Sequence, residues 1–333
     1  FEPSFRYQYY ATMNVASPEP RASLKVKFSK KIRFKAAAGL YSQSLMSANS
    51  DRDVVNLFYG FINAPENQDL SKEYLDINGQ SQTVNSSIQK ANHIVTGFEF
   101  DLFKHFELNI EVYQKFFNTI ININRNKLFD DNTSFSSYPD EVKKNFIIEQ
   151  GRAQGFDLVI KYDRKRFYLW AVYSLTFNDR WFGNTSTGIV SKYAPSFDRR
   201  NNINIVTSYM FGKKKNWELN ARWNFGTGFP FTQTQGFVNQ FNPQGNINYN
   251  FPTANGTLNY IPAELNGGRF PDFHRLDIGL KYKYRIKENN LLEVNMGATN
   301  LYNQKNIFYV DRFTFKIINQ LPIMPNVNIS FTF

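Results

Sequence analysis

The three histidines of this 333-residue chain are candidate metal ligands. His93, His105 and His274 lie far apart, none belongs to a His-x-x-x-His pair, and the chain contains no cysteine. Zinc sites are normally built from closely spaced histidine and cysteine ligands. We therefore predict no zinc site and no other metal centre.

Acidic pairs and a glycine-containing segment could serve other chemistry. Asp51 with Asp53 and Asp130 with Asp131 could bind calcium, but neither pair has EF-hand spacing, so we interpret both as solvated loop charges. The segment GTGFP (residues 226–230) lacks the Lys-Ser/Thr ending of a phosphate-binding loop. No spacing of Ser, His and Asp indicates a catalytic set. We predict a protein that is not an enzyme and uses no cofactor.

Two segments combine aromatic rings with polar side chains in regions predicted to be loops. They are DRWFGN (residues 179–184) and FPFTQTQGF (residues 229–237). Rings of this kind can stack on a bound ligand. Alternatively, they belong to an aromatic belt at a membrane interface or pack loop against loop. The candidate substrate-binding residues are Arg180, Trp181, Phe182, Phe229 and Phe231.

The last ten residues indicate the scaffold that must position these side chains. MPNVNISFTF alternates strictly after Pro325 and ends on Phe333. Alternation with period two predicts a β-strand with one apolar and one polar face, which suits a wall between lipid and water. The apolar set is Val327, Ile329, Phe331 and Phe333, and the polar set is Asn326, Asn328, Ser330 and Thr332.

About twelve strands are predicted from the same period. Similar alternation occurs at residues 32–38, 94–102 and 217–225. One further strand has a lipid-facing set, Leu276, Ile278, Leu280, Tyr282 and Tyr284, and an inward-facing set, Arg275, Asp277, Lys281 and Lys283. His274 alternates in step with the lipid-facing set, so its side chain is predicted to lie on that face.

Short and long connections alternate along the predicted strands. Transmembrane barrels have short turns on the periplasmic side and longer loops outside, so the short connections orient the chain. Val54 to Ile62 departs from period two and is predicted to be a short helix. Tight turns are predicted at 29–31, 103–105, 163–166, 212–216 and 287–290, a modest connection at 16–21, and long loops at 44–90, 124–144, 179–198, 226–271 and 302–322.

Composition agrees with a barrel wall. Mean hydropathy is −0.48, and no run approaches the roughly 18 apolar residues of a membrane helix, so a helical membrane protein is excluded. Aromatic residues make 17% of the chain, which suits aromatic belts at two interfaces. The net charge of +11 arises largely from lysines that alternate with apolar residues or lie in turns such as GKKKN (residues 212–216). We therefore predict no nucleic-acid partner.

Several segments resemble a known family. The terminal strand resembles the C-terminal signature of bacterial outer-membrane β-barrels, which implies that Phe331 and Phe333 act as an assembly signal. Four segments resemble the C-terminal barrel of a TonB-dependent outer-membrane receptor, of the type abundant in Bacteroidota. They are FIIEQGRAQGFDLVIKY (146–162), WELNARWNFGTGFPFTQTQG (217–236), GGRFPDFHRLDIGLKY (267–282) and MGATNLYNQKNIFYV (296–310).

The resemblance implies a 22-stranded barrel that encloses an N-terminal plug. At about 28 residues per strand, 22 strands would need about 610 residues, whereas this chain has 333 and starts at Phe1. We expect a truncated or processed chain whose residues 1–333 form the C-terminal part of the barrel, with the plug and the N-terminal strands absent. Active import would then not belong to this chain alone.

The family's function is import of a scarce or large nutrient: a siderophore, vitamin, glycan or peptide. The implied location is the bacterial outer membrane. The implied partners are outer-membrane lipid and lipopolysaccharide, the remainder of the barrel and plug, periplasmic TonB acting through the missing plug region, and a surface lipoprotein. The alternatives are a complete passive porin-like channel of about twelve strands and a soluble β-sandwich binding module.

Overall fold

The structure is a computed structural model that describes residues 1–47, 61–63, 65–66, 69–239, 258–287 and 290–333. Twelve of the described strands form one antiparallel sheet in chain order, which confirms the predicted all-β class and strand number. The strands are β1 (Glu2–Tyr10), β2 (Val15–Lys27), β3 (Ile32–Gln43), β4 (Gln89–Phe103), β5 (Phe106–Ile123), β6 (Phe146–Arg164), β7 (Phe167–Asn184), β8 (Asn201–Phe211), β9 (Trp217–Gly226), β10 (Phe273–Lys287), β11 (Asn290–Thr299) and β12 (Met324–Thr332).

The register between strands separates the side chains into two faces. Between β9 and β10, Ala221 pairs with Ile278, whereas the next residue, Arg222, pairs with Asp277. Because neighbouring side chains point to opposite sides of a strand, the apolar residues share one face and the charged residues share the other. We call these the apolar face and the polar face.

The apolar face is uncovered. Ile94 is 55% exposed, Val112 51% and Leu219 44%, although each lies in the middle of a sheet of twelve strands. The buried apolar cluster lies elsewhere, around Met46 and Leu70. A large uncovered apolar surface marks an interaction with an apolar phase or partner.

Aromatic rings lie near both ends of the apolar face. At the end with the short turns, the Trp217 ring lies 6.0 Å from Phe211 and 4.4 Å from Tyr282. At the opposite end of β9, Trp223 stacks with Phe225 at 6.0 Å. Two rows of rings that flank aliphatic residues are typical of the interfaces of a transmembrane β-barrel.

Tight turns join the strands at four of the predicted positions, 29–31, 103–105, 163–166 and 212–216, whereas residues 288–289 of the turn predicted at 287–290 lie outside the described residues. The short connections include His105 (φ 80°) between β4 and β5, Lys165 (φ 52°) between β6 and β7, and Gly212 (φ 84°) between β8 and β9. Positive φ at these residues reverses the chain within a few positions. One prediction was wrong: residues 16–21 lie within β2, and the first connection is the 3₁₀ turn Ala11–Met13.

The long connections contain short elements of their own. Residues 54–60 of the predicted helix lie outside the described residues, and Phe61–Asn63 is a strand paired with Leu45–Ser47. No helix in the described part of the chain is long and apolar enough to cross a membrane. The other short elements are Glu73–Leu75 with Ser81–Thr83, the turn Thr133–Phe135, the helix Asp140–Lys143, Ile189–Tyr193 beside β7, Pro230–Phe231 with Gly268–Arg269, Thr234–Asn239 with Leu258–Pro262, and Ile307–Val310 with Ile317–Asn319.

The two outer strands each have one neighbour in the described sheet. β1 pairs with β2, β12 pairs with β11, and no pairing joins β1 to β12 within the described residues. Every residue of β12 is exposed. The sheet is therefore open along both edges.

Candidate functional site

The segment DRWFGN lies in a strand, which corrects its predicted position in a loop. β7 continues through Asn184 because Ile189–Tyr193 pairs with it, from Asn184 opposite Ile189 to Arg180 opposite Tyr193. This β-hairpin extends the wall beyond the end of β8. Arg180, Trp181 and Phe182 are consequently held in fixed positions rather than on a flexible loop.

Trp181 is used for packing in this hairpin. Its side chain is 8% exposed, and Nε1 donates a hydrogen bond to Oε1 of Gln150 on β6 at 3.0 Å. The indole is therefore buried with its single donor satisfied. Trp181 is therefore a packing residue of the hairpin in this structure.

A buried carboxylate holds the hairpin to the neighbouring loop. Glu149 of β6 is 0% exposed, and its Oε1 lies 2.6 Å from Nη2 of Arg125, which follows β5 and has a side-chain exposure of 2%. The Tyr193 hydroxyl donates to Glu149 at 2.6 Å, and Asn122 Nδ2 donates at 3.3 Å. Arg180 Nη1 lies 4.0 Å from the same carboxylate. Two guanidinium groups therefore share one buried negative charge.

Phe182 completes this cluster. The guanidinium of Arg125 lies over the Phe182 ring at 4.0 Å, and the ring meets Tyr193 edge-on at 6.2 Å. A desolvated cation–π contact of this kind is worth about 2 kcal/mol. Of the three candidates in this segment, Phe182 is thus committed to holding the hairpin in place.

A second buried carboxylate joins two other loops. Asp198, between the hairpin and β8, accepts hydrogen bonds from the backbone N and Nδ2 of Asn178 at 3.0 and 3.2 Å. Arg200 Nε lies 3.1 Å away and Arg269 Nη2 lies 2.5 Å away. Arg269 belongs to the loop between β9 and β10 and also donates to the Gly228 carbonyl at 3.1 Å. Asp198 therefore fixes both loops to the end of the sheet.

Phe229 and Phe231 lie in this second region. The guanidinium of Arg199 lies 4.1 Å over the Phe229 ring, and Phe231 stacks on Phe270 at 4.2 Å with an interplanar angle of 17°. Burial lowers the pKa of Arg199, although Asp272 opposes this shift. The structure does not bring these two rings into contact with Arg180 or Phe182 within the described residues.

The polar face carries an ion-pair network nearer the short turns. Arg33 donates to Glu99 at 2.9 Å and to Asp101 at 2.5 and 2.8 Å, and Lys35 pairs with Glu111. Lys25 lies 2.8 Å from Glu99. Three cations and three carboxylates therefore neutralise one another across β2 to β5. Such a surface is stable against water but unfavourable against lipid.

Sequence reasoning missed Glu149 and Asp198 as buried carboxylates. Glu149 follows Ile147 and Ile148, which are also buried, and a carboxylate beside buried apolar residues is a recognisable signal. Asp198 offered no such signal. Among the described residues, no group of three or more His, Asp or Glu side chains could hold a metal ion.

The fold is similar to solved structures of outer-membrane transport proteins. No protein-family model and no curated protein matches the chain. The siderophore receptor PirA from Acinetobacter baumannii superimposes with a TM-score of 0.58 and 11% identity, covering 99% of this chain and 43% of that chain. The outer membrane transporter YddB from Escherichia coli superimposes with a TM-score of 0.56 and 9% identity, covering 99% of this chain and 43% of that chain. The ferric citrate transporter FecA superimposes with a TM-score of 0.54 and 13% identity, covering 98% of this chain and 40% of that chain.

The chain spans less than half the length of these structures. At such low identity, the similarity shows the fold alone. The chain has the fold of the wall of a transmembrane antiparallel β-barrel.

Proposed function

We propose that this chain forms wall, extracellular loops and lumen of a TonB-dependent transporter in the bacterial outer membrane. The observation that carries the proposal is the uncovered apolar face between two rows of aromatic rings. In water this face would favour aggregation, whereas in a bilayer it is the lipid-facing surface of a barrel. In the outer membrane, the apolar face would then contact lipid and lipopolysaccharide.

The polar face then lines the lumen. The charged residues of its ion-pair network across β2 to β5 are paired with one another and are compatible with water or a polar protein surface. The extracellular side then carries the β-hairpin at the end of β7, with Arg180, Trp181 and Phe182, and the long loop after β9, with Phe229 and Phe231. Ligand capture by these loops and the lumen, without catalysis, is the role we assign to this chain.

The open edges favour a barrel larger than twelve strands. Residues 1–333 would form the C-terminal part of a barrel of about 22 strands, closed by further strands and filled by a plug that couples to TonB. The second candidate, a passive porin-like channel of about twelve strands, requires β1 to pair with β12. The unpaired edges of both strands support the first candidate.

The proposed substrate class is a ferric complex such as a siderophore. PirA is named as a siderophore receptor and FecA as a ferric citrate transporter. Receptors for vitamins, glycans and peptides share this wall chemistry and are the next substrates to test. A surface lipoprotein partner and the Bacteroidota origin stay predictions, since the structures named above that carry an organism come from Acinetobacter and Escherichia.

Uptake measurements test the transport function. We expect cells that lack the protein to lose accumulation of radioactive iron supplied as a ferric siderophore or ferric citrate, and a protonophore to abolish accumulation in cells that contain it. The reason is that coupling to TonB needs an energised inner membrane. Equal accumulation with and without the protonophore would contradict active import and favour a passive channel.

Barrel closure is tested separately by cross-linking. The chain contains no native cysteine, so engineered pairs report unambiguously. Cysteines at Tyr7 or Tyr9 of β1 combined with one at Val327 or Ile329 of β12 should give no intramolecular disulfide. The control pair, Val294→Cys with Ile329→Cys, lies opposite in the β11–β12 register and should cross-link. A disulfide between β1 and β12 would establish the twelve-strand channel.

Phe333 is predicted to act in assembly rather than in stability. Its ring is 91% exposed and stacks only loosely on Phe331 at 6.1 Å, and complete burial of such a ring is worth at most about 3 kcal/mol. Deletion of Phe333 should reduce the outer-membrane yield severalfold but leave refolding into detergent nearly normal. Phe333→Tyr, which keeps a terminal aromatic ring, should restore the yield. If the deletion lowered the outer-membrane yield and the refolding yield equally, Phe333 would contribute to packing of the barrel and not to an assembly signal.

A further inference from the structure

A cavity of about 270 Å³ lies on the polar face, beyond the ion-pair network. One wall comes from β3, β4 and β5 through Tyr41, His93 and Phe117, and another comes from β7 through Arg180. The segment after the hairpin contributes Pro195 and Phe197. Since Asp198 fixes this segment to Asn178 and Arg269, the cavity is built by anchored residues.

One wall of the cavity is a ladder of rings across adjacent strands. The guanidinium of Arg21 lies 4.4 Å over Tyr41, Tyr41 stacks with His93 at 4.4 Å and 26°, and His93 meets Phe117 at 6.3 Å and 71°. Phe197 contributes a further ring to the lining. Flat aromatic surfaces favour a ligand that is itself planar, because rings gain offset-stacked or edge-on contacts.

The ladder also presents a polar atom without a partner. Nε2 of His93 is buried and forms no hydrogen bond with any described residue. A buried polar atom in that state is costly unless a ligand or water satisfies it. Since His93 lines the cavity, a hydrogen-bonding group of a ligand would supply that missing partner.

The charge of the lining is positive. The charged residues are Lys90, Arg152, Arg180 and Asp179, which give three positive charges and one negative charge, or a formal +2. Arg180 lies over Phe197 at 5.2 Å, so the guanidinium and the ring form one surface. The lining therefore favours an anion over a neutral or cationic ligand.

From these observations we infer that the cavity binds a planar aromatic carboxylate. The ring lies against the Tyr41–His93 ladder and Phe197, and the carboxylate interacts with Arg180 and Nε2–H of His93. A cavity of about 150 Å³ holds benzene, so this one has room for one or two fused rings with a carboxylate. The inference goes beyond transport, because binding here depends on neither closure of the barrel nor coupling to TonB.

The test is direct binding to the detergent-solubilised protein, with 2-naphthoate as the probe in equilibrium dialysis against protein-free micelles. We expect saturable binding of one 2-naphthoate, weaker binding of 2-naphthamide, which lacks the charge, and weaker binding of decalin-2-carboxylate, which lacks the planar ring. Phe197→Ala should weaken 2-naphthoate binding about tenfold, as expected for loss of an aromatic stacking partner. Phe313→Ala, in a different loop, should leave binding unchanged.

A second variant tests the contribution of the His93 nitrogen separately from that of its ring. His93→Phe keeps an aromatic ring in the ladder but removes the Nε2 donor, so it should weaken binding of 2-naphthoate and of 2-naphthamide, whereas the preference for the carboxylate, which Arg180 and the basic lining set, should persist. Far-ultraviolet circular dichroism and heat-modifiable migration would verify that each variant is folded. Binding of decalin-2-carboxylate as tight as that of 2-naphthoate, or unchanged binding in both variants, would overturn the inference. These outcomes are independent of the uptake experiment.

Discussion

Ile278→Arg is expected to destabilise the folded chain in a bilayer by about 2–4 kcal/mol, because the new charge would face lipid near the centre of the membrane. Ile278 lies on the apolar face, with Ala221 on one side and Ala298 on the other. Neither alanine side chain offers a charge or a hydrogen-bond acceptor. A urea titration of the protein folded into phospholipid vesicles measures the change in the free energy of unfolding.

Asn220→Arg is the matched control. Asn220 lies at a similar height on the polar face, opposite Ser208 on β8 and Gly279 on β10, so an arginine there has space and water. Asn220 is partly exposed, and the cost of Asn220→Arg should stay below about 1 kcal/mol, as for other polar positions with access to water. Asp277 is a poorer control, because it accepts a hydrogen bond from the backbone of Asn300 at 2.9 Å and pairs with Arg275. Similar losses from Ile278→Arg and Asn220→Arg would invalidate the assignment of the two faces.

The sequence predicted the wall well because a single physical contrast acts along every strand. Each side chain faces either an apolar or a polar phase, so period-two alternation survives in β9, β10 and β12 without help from distant residues. Tight turns were also predictable from the sequence. For example, Gly212 and the lysines that follow it interrupt the alternation where the chain reverses between β8 and β9.

Residues 16–21 form a strand although the segment contains two prolines. Pro18 and Pro20 lie in the part of β2 that pairs with β1 alone, opposite Tyr7 and Phe5. β3 begins to pair with β2 only at Arg21. Proline is tolerated where one side of a strand has no ladder partner, and a local pattern cannot show which neighbour is absent.

The loops could not be predicted to the same extent because their anchors are long-range. Asp198 and Arg269 are 71 residues apart in the chain, and Tyr193 and Glu149 are 44 apart. No spacing rule connects such pairs. The segment 179–184 was similarly read as a loop because its charges and glycine hide the alternation, whereas its pairing with Ile189–Tyr193 makes it a strand.

The anchoring of the hairpin to the β5–β6 loop should depend strongly on Arg125. Arg125→Met removes the closest cation from Glu149, which would then keep the Tyr193 and Asn122 hydrogen bonds and Arg180 at 4.0 Å. Breaking a buried ion pair by removing one partner typically costs about 3–5 kcal/mol, because a buried charge is left uncompensated. The loss should appear as faster amide hydrogen exchange in residues 189–193 rather than in the rest of the sheet.

Two controls separate the buried charge from the loss of a long side chain. Arg152→Met removes an arginine near Glu149 at the same end of β6. Arg152 and its partner Asp179 are partly exposed, with side-chain exposures of 37% and 23%. The free-energy cost of this variant should therefore be about 0–1 kcal/mol. Arg125→Met combined with Glu149→Gln removes both charges and should recover much of the stability lost in Arg125→Met. If the double variant were as labile as Arg125→Met, packing of Arg125 on Phe182 would account for the anchoring, and the ion pair would not.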